Sequence, residues 1–233
     1  MSKTYIITGI SRGLGAGTVE ALLSENEKVF GIGRSNPFGE KIGFMQCDFA
    51  NPSAIDALDF ESLEGDVVLI NNAGIIGDIG RISEQESSDL ERVMQVNVFA
   101  PMALTRKVYA QLGEDQSFTL VNISSGAANR SIPSWASYCA SKAALNRLTE
   151  NFYIEEQERN RKVIAYAVAP GVIDTGMQAE IRAASIEDFS ERDNFVRMKE
   201  EGMLYSKEEA ANRLLQLLKM PFSGEVFQDL RNL

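Results

Sequence analysis

The sequence predicts an α/β fold in which one parallel sheet is doubly wound, with helices on both faces, and in which residues 1–233 form a single domain. Three observations lead there. Short apolar, β-branched runs alternate with helix-period segments along the whole length. A glycine-rich turn joins the first run to the first helical segment, and no linker, repeat or low-complexity stretch interrupts the rest of the chain. Composition agrees: 44% hydrophobic and 24% charged residues are ordinary for a globular chain that buries a sizeable core. The formal net charge is −10 with no Lys/Arg-rich run, which argues against nucleic acid or an anionic membrane surface as a partner.

The first strand is Thr4 to Thr8, apolar and cut off by glycine. Thr8-Gly9-Ile10-Ser11-Arg12-Gly13-Leu14-Gly15 comes next and opens a helix carrying Val19, Ala21, Leu22 and Leu23. Glycines at such a turn let the backbone approach a pyrophosphate whose charge meets the helix N-terminus, the arrangement of a Rossmann-type dinucleotide site. The spacing is G-x-x-x-G-x-G rather than the commoner G-x-G-x-x-G, and a plain flexible turn is the other reading. The second strand, Lys28 to Gly33, ends at Arg34, with no acidic residue between Val29 and Gly39 to take a ribose 2′-hydroxyl. Arg34 and Arg12 instead offer guanidinium groups for a 2′-phosphate, so the expected cofactor is NADP(H) rather than NAD.

Pro37 and Gly39 make 34–42 an irregular connection to a third strand near Gly43 to Cys47. Asp48 either accepts from an adenine amino group or caps the next helix. Val67 to Ile70 reads as the central strand and ends in Asn71-Asn72-Ala73-Gly74, at the edge where open sheets bind ligands. A long helix is expected over Glu84 to Leu112. Inside it Pro101 deprives the Asn97 carbonyl of its partner, which leaves either a simple kink or a carbonyl free to hold an ordered water. Phe118 to Ile123 is the next strand, continued by Ser124-Ser125-Gly126 and a helix over Ser137 to Gln157. Val163 to Ala169 is a further buried strand, turned by Pro170-Gly171-Val172-Ile173-Asp174-Thr175. Across 177–203 apolar residues scatter among charges, as in a lid over a substrate site or a plain pair of surface helices. Ser206 caps a last helix through Leu218, with Glu209 at capping-box spacing, and Gly224 to Gln228 is the last strand.

On the helix over Ser137 to Gln157, Tyr138 and Lys142 stand four apart and share a face. A phenol is a poor acid or base at neutral pH until a neighbouring cation favours its ionised form. Bringing it about three units down takes roughly 4 kcal/mol, of which an ammonium one turn away in a partly dry pocket supplies a large share. Taken alone, the spacing also fits a packed tyrosine beside a surface lysine. The chain has no histidine, and Cys47 and Cys139 lack a CxxC spacing, which excludes His-based triads and ordinary zinc sites; no metal is expected. Two lone thiols fit a reducing compartment. The apolar run that the N-terminus leads into stops at Gly9, too short for a signal-peptide core, and no later apolar run reaches about 18 residues, so a cytoplasmic protein is expected.

Together the motifs resemble the short-chain dehydrogenases/reductases over nearly the whole chain: Thr8 to Gly15, Asn71 to Gly74, Asn97, Ser125 with Tyr138 and Lys142, and Pro170 to Thr175, in that family's order and spacing. The resemblance implies an NADPH-dependent reductase of a small-molecule carbonyl compound. Tyr138 would be the general acid, Ser125 would hydrogen-bond the carbonyl oxygen, and Lys142 would bind the nicotinamide ribose and lower the Tyr138 pKa. Asn97 would fix a water linking Lys142 to solvent. Gly9, Ser11, Arg12, Gly13, Leu14, Gly15, Arg34, Asp48, Asn71, Ala73, Gly74, Pro170, Gly171, Val172 and Thr175 would line the cofactor with Tyr138 and Lys142. Within the family, Ser124-Ser125-Gly126-Ala127-Ala128, Trp135-x-x-Tyr138-Cys139 and Asp174-Thr175-x-Met177-Gln178 look most like the sepiapterin reductase and bacterial benzil reductase branch, whose members reduce vicinal dicarbonyls. Aligning on Ser223-Gly224 puts Phe227 near a position where sepiapterin reductases carry aspartate, which suits an aryl or alkyl diketone better than a pterin. Family pairing through two long helices implies a homodimer or homotetramer. The alternatives are a reductase of another carbonyl class (pterin, sugar, steroid or acyl-thioester) and a non-catalytic dinucleotide-binding regulator.

Overall fold

The structure, a computed structural model, describes residues 3–60 and 63–233. Met1 and Ser2, where the segment weighed as a signal peptide begins, and Glu61 and Ser62 lie outside the described residues. Strand β1 (Lys3–Thr8) runs through the glycine turn into α1 (Gly13–Ser24), and β2 (Lys28–Gly33) connects irregularly to β3 (Gly43–Gln46). After a short α2 (Pro52–Asp56) come β4 (Asp66–Asn71), α3 (Ser87–Met94), α4 (Ala100–Tyr109) and β5 (Phe118–Ile123). The second half holds α5 (Ala136–Glu158), β6 (Val163–Ala169), α6 (Gly176–Ala183), α7 (Arg192–Glu200), α8 (Lys207–Lys219) and β7 (Phe227–Asp229). All strands pair in parallel in the order β3-β2-β1-β4-β5-β6-β7, so β4 is central.

Because side chains alternate across a strand, each strand feeds two cores. Tyr5, Ile7, Val68, Ile70, Val121 and Val168 pack under α1 and α8 against Val19, Leu22, Leu214 and Leu215. Ile6, Val67, Leu69, Leu120 and Ala165 face the other way, against Ile55 of α2 and Leu104 and Val108 of α4. Covering both faces is what lets the strands read as unbroken apolar runs rather than alternating ones. At roughly 1.5–3 kcal/mol for each large side chain fully buried, these two layers supply the main driving force for folding. A third cluster, Ile76, Ile132, Trp135, Tyr138, Ile181, Phe189 and Phe195, lies under α6 and α7.

The expected long helix over Glu84 to Leu112 is broken into pieces. A 3₁₀ turn (Ile82–Glu84) precedes α3, and a π-helical turn (Gln95–Phe99) joins α3 to α4. Pro101 cannot donate, and the backbone widens so that the Ala100 N–H reaches back to the Gln95 carbonyl. Strand β7 starts three residues later than expected and is short, Phe227–Asp229. The cap of α8 is as its sequence suggests: Ser206 Oγ accepts from Glu209 N at 3.1 Å while Glu209 Oε2 accepts from Ser206 N at 2.8 Å. Among the described residues no helix is long and apolar enough to cross a membrane.

The strand order reverses between β1 and β4, where connections depart to opposite sides and leave a crevice beyond the strands' carboxyl ends. Helices α1 and α8 close tightly beneath it at Gly17, where an added Cβ would lie 2.5 Å from the Lys207 carbonyl oxygen. Gly17→Ala should therefore lower the urea midpoint, at a cost of about 1–3 kcal/mol for forcing two backbones apart. Gly80→Ala, where nothing stands within 4 Å of the new carbon, should change stability by about 0.5 kcal/mol or less.

Candidate active site

The crevice floor is built from backbone and small polar side chains. Thr8 Oγ1 accepts from the backbone N–H groups of Asn72 and Ala73, both at 2.9 Å, and Asn72 Nδ2 donates to the carbonyls of Thr8 at 2.9 Å and Gly9 at 3.1 Å. This clamp ties the ends of β1 and β4 and shapes the glycine turn. Gly9 has φ +71, a conformation that favours glycine. A Cβ on Gly15 would sit 2.3 Å from the Gly9 carbonyl oxygen, so its bare backbone lets α1 close onto the turn.

Above this floor opens a cleft of about 910 Å³. Of the residues expected to line a cofactor, Gly9, Ser11, Arg12, Gly13, Leu14, Arg34, Asp48, Ala73, Gly74, Pro170, Gly171, Val172 and Thr175 do border it, as do Ser125, Tyr138 and Lys142. Three expected residues do not. Gly15 is a packing glycine, holding α1 against the turn. Asn71 turns into the interior, where its Nδ2 donates to Asn122 Oδ1 at 2.8 Å; Asn72 is the lining residue. Asn97 is fully buried, its Oδ1 accepting from Ile75 N at 2.9 Å and its Nδ2 donating to Ile75 O at 2.8 Å and Ser141 Oγ at 3.0 Å. Two other expectations are corrected. Asp48 does not cap α2: Asn51 does, accepting from Ser53 N, while Asp48 accepts from Ala50 N and borders the cleft. Phe227 lies away from the cleft, 37% exposed on β7, and Arg231 reaches it from that end of the chain.

The dinucleotide half of the cleft has the chemistry of an anion site. The N-terminus of α1 faces it with amide groups that have no helical acceptor. Arg12 and Arg34 border it, and among the described residues neither has a carboxylate within ion-pair distance. Gly33 lies on the same wall, and a Cβ there would meet no atom closer than 3.9 Å, room of the kind a closely approaching ligand fills. These residues fit a phosphorylated dinucleotide.

Helix α5 brings Tyr138 and Lys142 to the cleft. A buried ladder seats it: Asn71 donates to Asn122, Asn122 Nδ2 donates to Thr149 Oγ1 at 2.8 Å, and Thr149 Oγ1 donates to Leu145 O at 2.7 Å. Lys142 is 4% exposed, its Nζ donating to the Ile123 carbonyl at 2.8 Å and standing 5.7 Å from the centroid of the Tyr138 ring. Burial lowers its pKa to about 8. Tyr138, on the same helix, is buried as well. Burial, which disfavours the phenolate, raises its pKa, and the neighbouring Ser125 hydroxyl opposes that rise without reversing it. Burial is the largest influence on this phenol in the ligand-free chain, with the Lys142 ammonium 5.7 Å from its ring centroid.

The other half of the cleft is apolar and aromatic. Trp135 stacks on Phe189 at 5.2 Å and meets Tyr138 edge-on at 5.6 Å, with Phe195 against it at 5.3 Å. Met177, Gln178 and Ile181 of α6 and Asn194, Phe195 and Met198 of α7 border the same space. Asp174 anchors these helices through ion pairs with Lys199 and, at 3.8 Å, Arg182. The sequence suggests for 177–203 a lid or a plain pair of surface helices, without showing which of its residues meet the cleft. The hint available was Trp135, which immediately precedes α5 and stands three residues before Tyr138, where its indole meets the phenol ring.

The comparisons with known proteins agree with this architecture. The family profile described as short chain dehydrogenase matches residues 3–186. A benzil reductase, (S)-benzoin forming, from Bacillus subtilis strain 168 is 34% identical over 230 residues, covering 93% of each chain. Among solved structures, a short chain dehydrogenase/reductase from Saccharomyces cerevisiae superposes with a TM-score of 0.84 at 26% identity, covering 98% of this chain and 96% of its own. A short chain dehydrogenase from Burkholderia cenocepacia J2315, crystallised in complex with NADP, gives 0.74 at 26% identity over 97% and 87%. Seven parallel strands in doubly wound order, a glycine turn at their switch point and a profile match over most of the length lead to one conclusion: this chain belongs to the short-chain dehydrogenase/reductase family of oxidoreductases.

Proposed function

We propose that the protein is an NADPH-dependent reductase of small ketones or α-diketones, with Tyr138 as general acid. One observation carries this reading. The Tyr138 phenol, the Ser125 hydroxyl and the Lys142 ammonium border a single cleft at the junction between its arginine- and glycine-lined half and its aromatic half. The similarity to benzil reductases supports the diketone, and the NADP complex of a related dehydrogenase supports the nucleotide.

In this reading Gly9, Ser11, Gly13, Leu14 and the start of α1 would hold the pyrophosphate, Arg12 and Arg34 the 2′-phosphate, and Lys142 the nicotinamide ribose. The hydride that reduces the carbonyl carbon is what a reduced nicotinamide supplies when bound. Ser125 and Tyr138 donate hydrogen bonds to the substrate's carbonyl oxygen, and Tyr138 gives up its phenolic proton as negative charge develops there. A phenol whose burial raises its pKa keeps that proton at neutral pH, the state a reduction requires. The phenolate left behind lies beside the Lys142 ammonium, whose charge stabilises it. Asn97 acts indirectly: it ties Ile75 to Ser141, and Ser141 Oγ donates to the Tyr138 carbonyl at 2.7 Å, which positions the turn of α5 bearing the phenol. Helices α6 and α7 serve as the lid that excludes water. Exposed Phe99, Met102 and Ile154, on the run from the π-turn into α4 and on α5, fit pairing of copies in a homo-oligomer.

With NADPH and benzil, Tyr138→Phe should lower kcat by roughly 10²–10⁴-fold. Retention of activity in that variant, monitored by NADPH absorbance, would remove the assigned acid. Arg34→Ala should raise the KM for NADPH roughly tenfold, the worth of one charge-assisted hydrogen bond, and leave that for NADH nearly unchanged. Lys142 gives a pH signature. Its folded-state pKa of about 8 lies below its ordinary 10.5, so in that window the unfolded chain binds more protons and stability rises with pH. The stability of the ligand-free wild type relative to Lys142→Met should therefore increase between about pH 8 and 10.5 and level off on either side, as read from urea midpoints.

A further inference from the structure

Gln178 lies in the first turn of α6 and is only 8% exposed, yet it borders the cleft and its Oε1 meets no hydrogen-bond donor among the described residues. Buried polar atoms nearly always have a partner in the protein or in what it binds. Met177 and Ile181, its neighbours on the cleft wall, pack into the apolar cluster that holds Trp135 and Tyr138. The amide is thus a polar point on the wall of a cleft whose apolar side holds Trp135 and Tyr138. Ser125 and Tyr138 serve one carbonyl oxygen, and a second oxygen on the substrate needs its own partner.

We propose that Gln178 determines specificity by hydrogen-bonding a second oxygen of the substrate, vicinal to the carbonyl that is reduced; this rests on the reductase reading and deepens it. An amide suits both members of the reaction pair. A half-turn of the amide exchanges Oε1 and Nε2 in the buried position, so that Nε2 donates to the spectator ketone of a 1,2-diketone and Oε1 accepts from the hydroxyl of an α-hydroxy ketone. A monoketone of the same outline would leave the amide buried and unpaired, and a pocket discriminates strongly when a mismatch strands its own polar group.

The test compares kcat/KM for benzil with that for 1,2-diphenylethanone, which lacks one oxygen, in the NADPH-loaded wild type and in Gln178→Met, which keeps the side chain's length without its polar atoms. The wild type should favour the diketone, whose second carbonyl also makes the first more electrophilic, and Gln178→Met should lower that preference by about tenfold or more. Gln178→Glu supplies a second arm, and a folding check by Tm accompanies both variants. A carboxylate repels the spectator ketone, so the ratio should fall there too, even if the Met variant does not fold. A ratio that stays at its wild-type value, or a loss that appears only as weaker NADPH binding, overturns the proposal and places Gln178 against the nucleotide. Failure of the wild type to reduce either ketone overturns the reductase reading itself, a result distinct from an unmoved ratio.

Discussion

The arrangement of this molecule turns on one buried ammonium. Lys142 sits at 4% exposure with no carboxylate within ion-pair distance among the described residues, and its Nζ is held by the Ile123 carbonyl at 2.8 Å. A charge kept from water in this way is costly, and the cost shows in a pKa drawn down to about 8. It is tolerable only if the carbonyl at the end of β5 and the helix carrying the lysine keep a fixed relation. The Asn71–Asn122–Thr149 ladder provides that relation from the sheet, and Asn97 with Ser141 provides it from the π-turn. Both sets of contacts are buried, where each hydrogen bond is strong and each missing one expensive.

That rigidity explains why the phenol and the ammonium divide their work. Tyr138 packs among Trp135, Ile181 and Phe195, an environment that favours its neutral form. Lys142 lies on the polar side of the same helix, toward Gly74 and Asn97; a Cβ at Gly74 would come within 3.4 Å of its Nζ. The cleft therefore grades from cationic and glycine-rich at the switch point to aromatic beneath α6 and α7. In the proposed reading a charged nucleotide and an apolar carbonyl compound would take its two ends, with Ser125, Tyr138 and Lys142 between them.

Much of this was legible in the chain alone. The strands were, because burial on both faces of a parallel sheet leaves unbroken apolar runs such as Val67 to Ile70. The glycine turn was, because it joins a strand to a helix within a few residues, and Ser125, Tyr138 and Lys142 were singled out by the family resemblance of the combined motifs. Less legible was anything settled by contacts distant in sequence. Asn71 and Asn72 are adjacent and chemically identical, and only the alternation of β4 against its neighbours decides that one feeds the buried ladder while the other clamps the glycine turn. Phe227 and Arg231 were likewise separable only once β7 had been paired with β6.

The sequence by itself determined the alternation of strands and helices and the glycine turn at the first strand's end, since these depend on residue type and short-range spacing, while the roles expected of Ser125, Tyr138 and Lys142 came from the family resemblance. The tertiary structure decided the electrostatics and the shape of the cleft. Whether Lys142 acidifies Tyr138 depends on how much water each has lost, which is a property of the packed chain. How Trp135 and Phe195 pack with the phenol depends on segments joined through Asp174 and its partners, and no local pattern encodes that meeting.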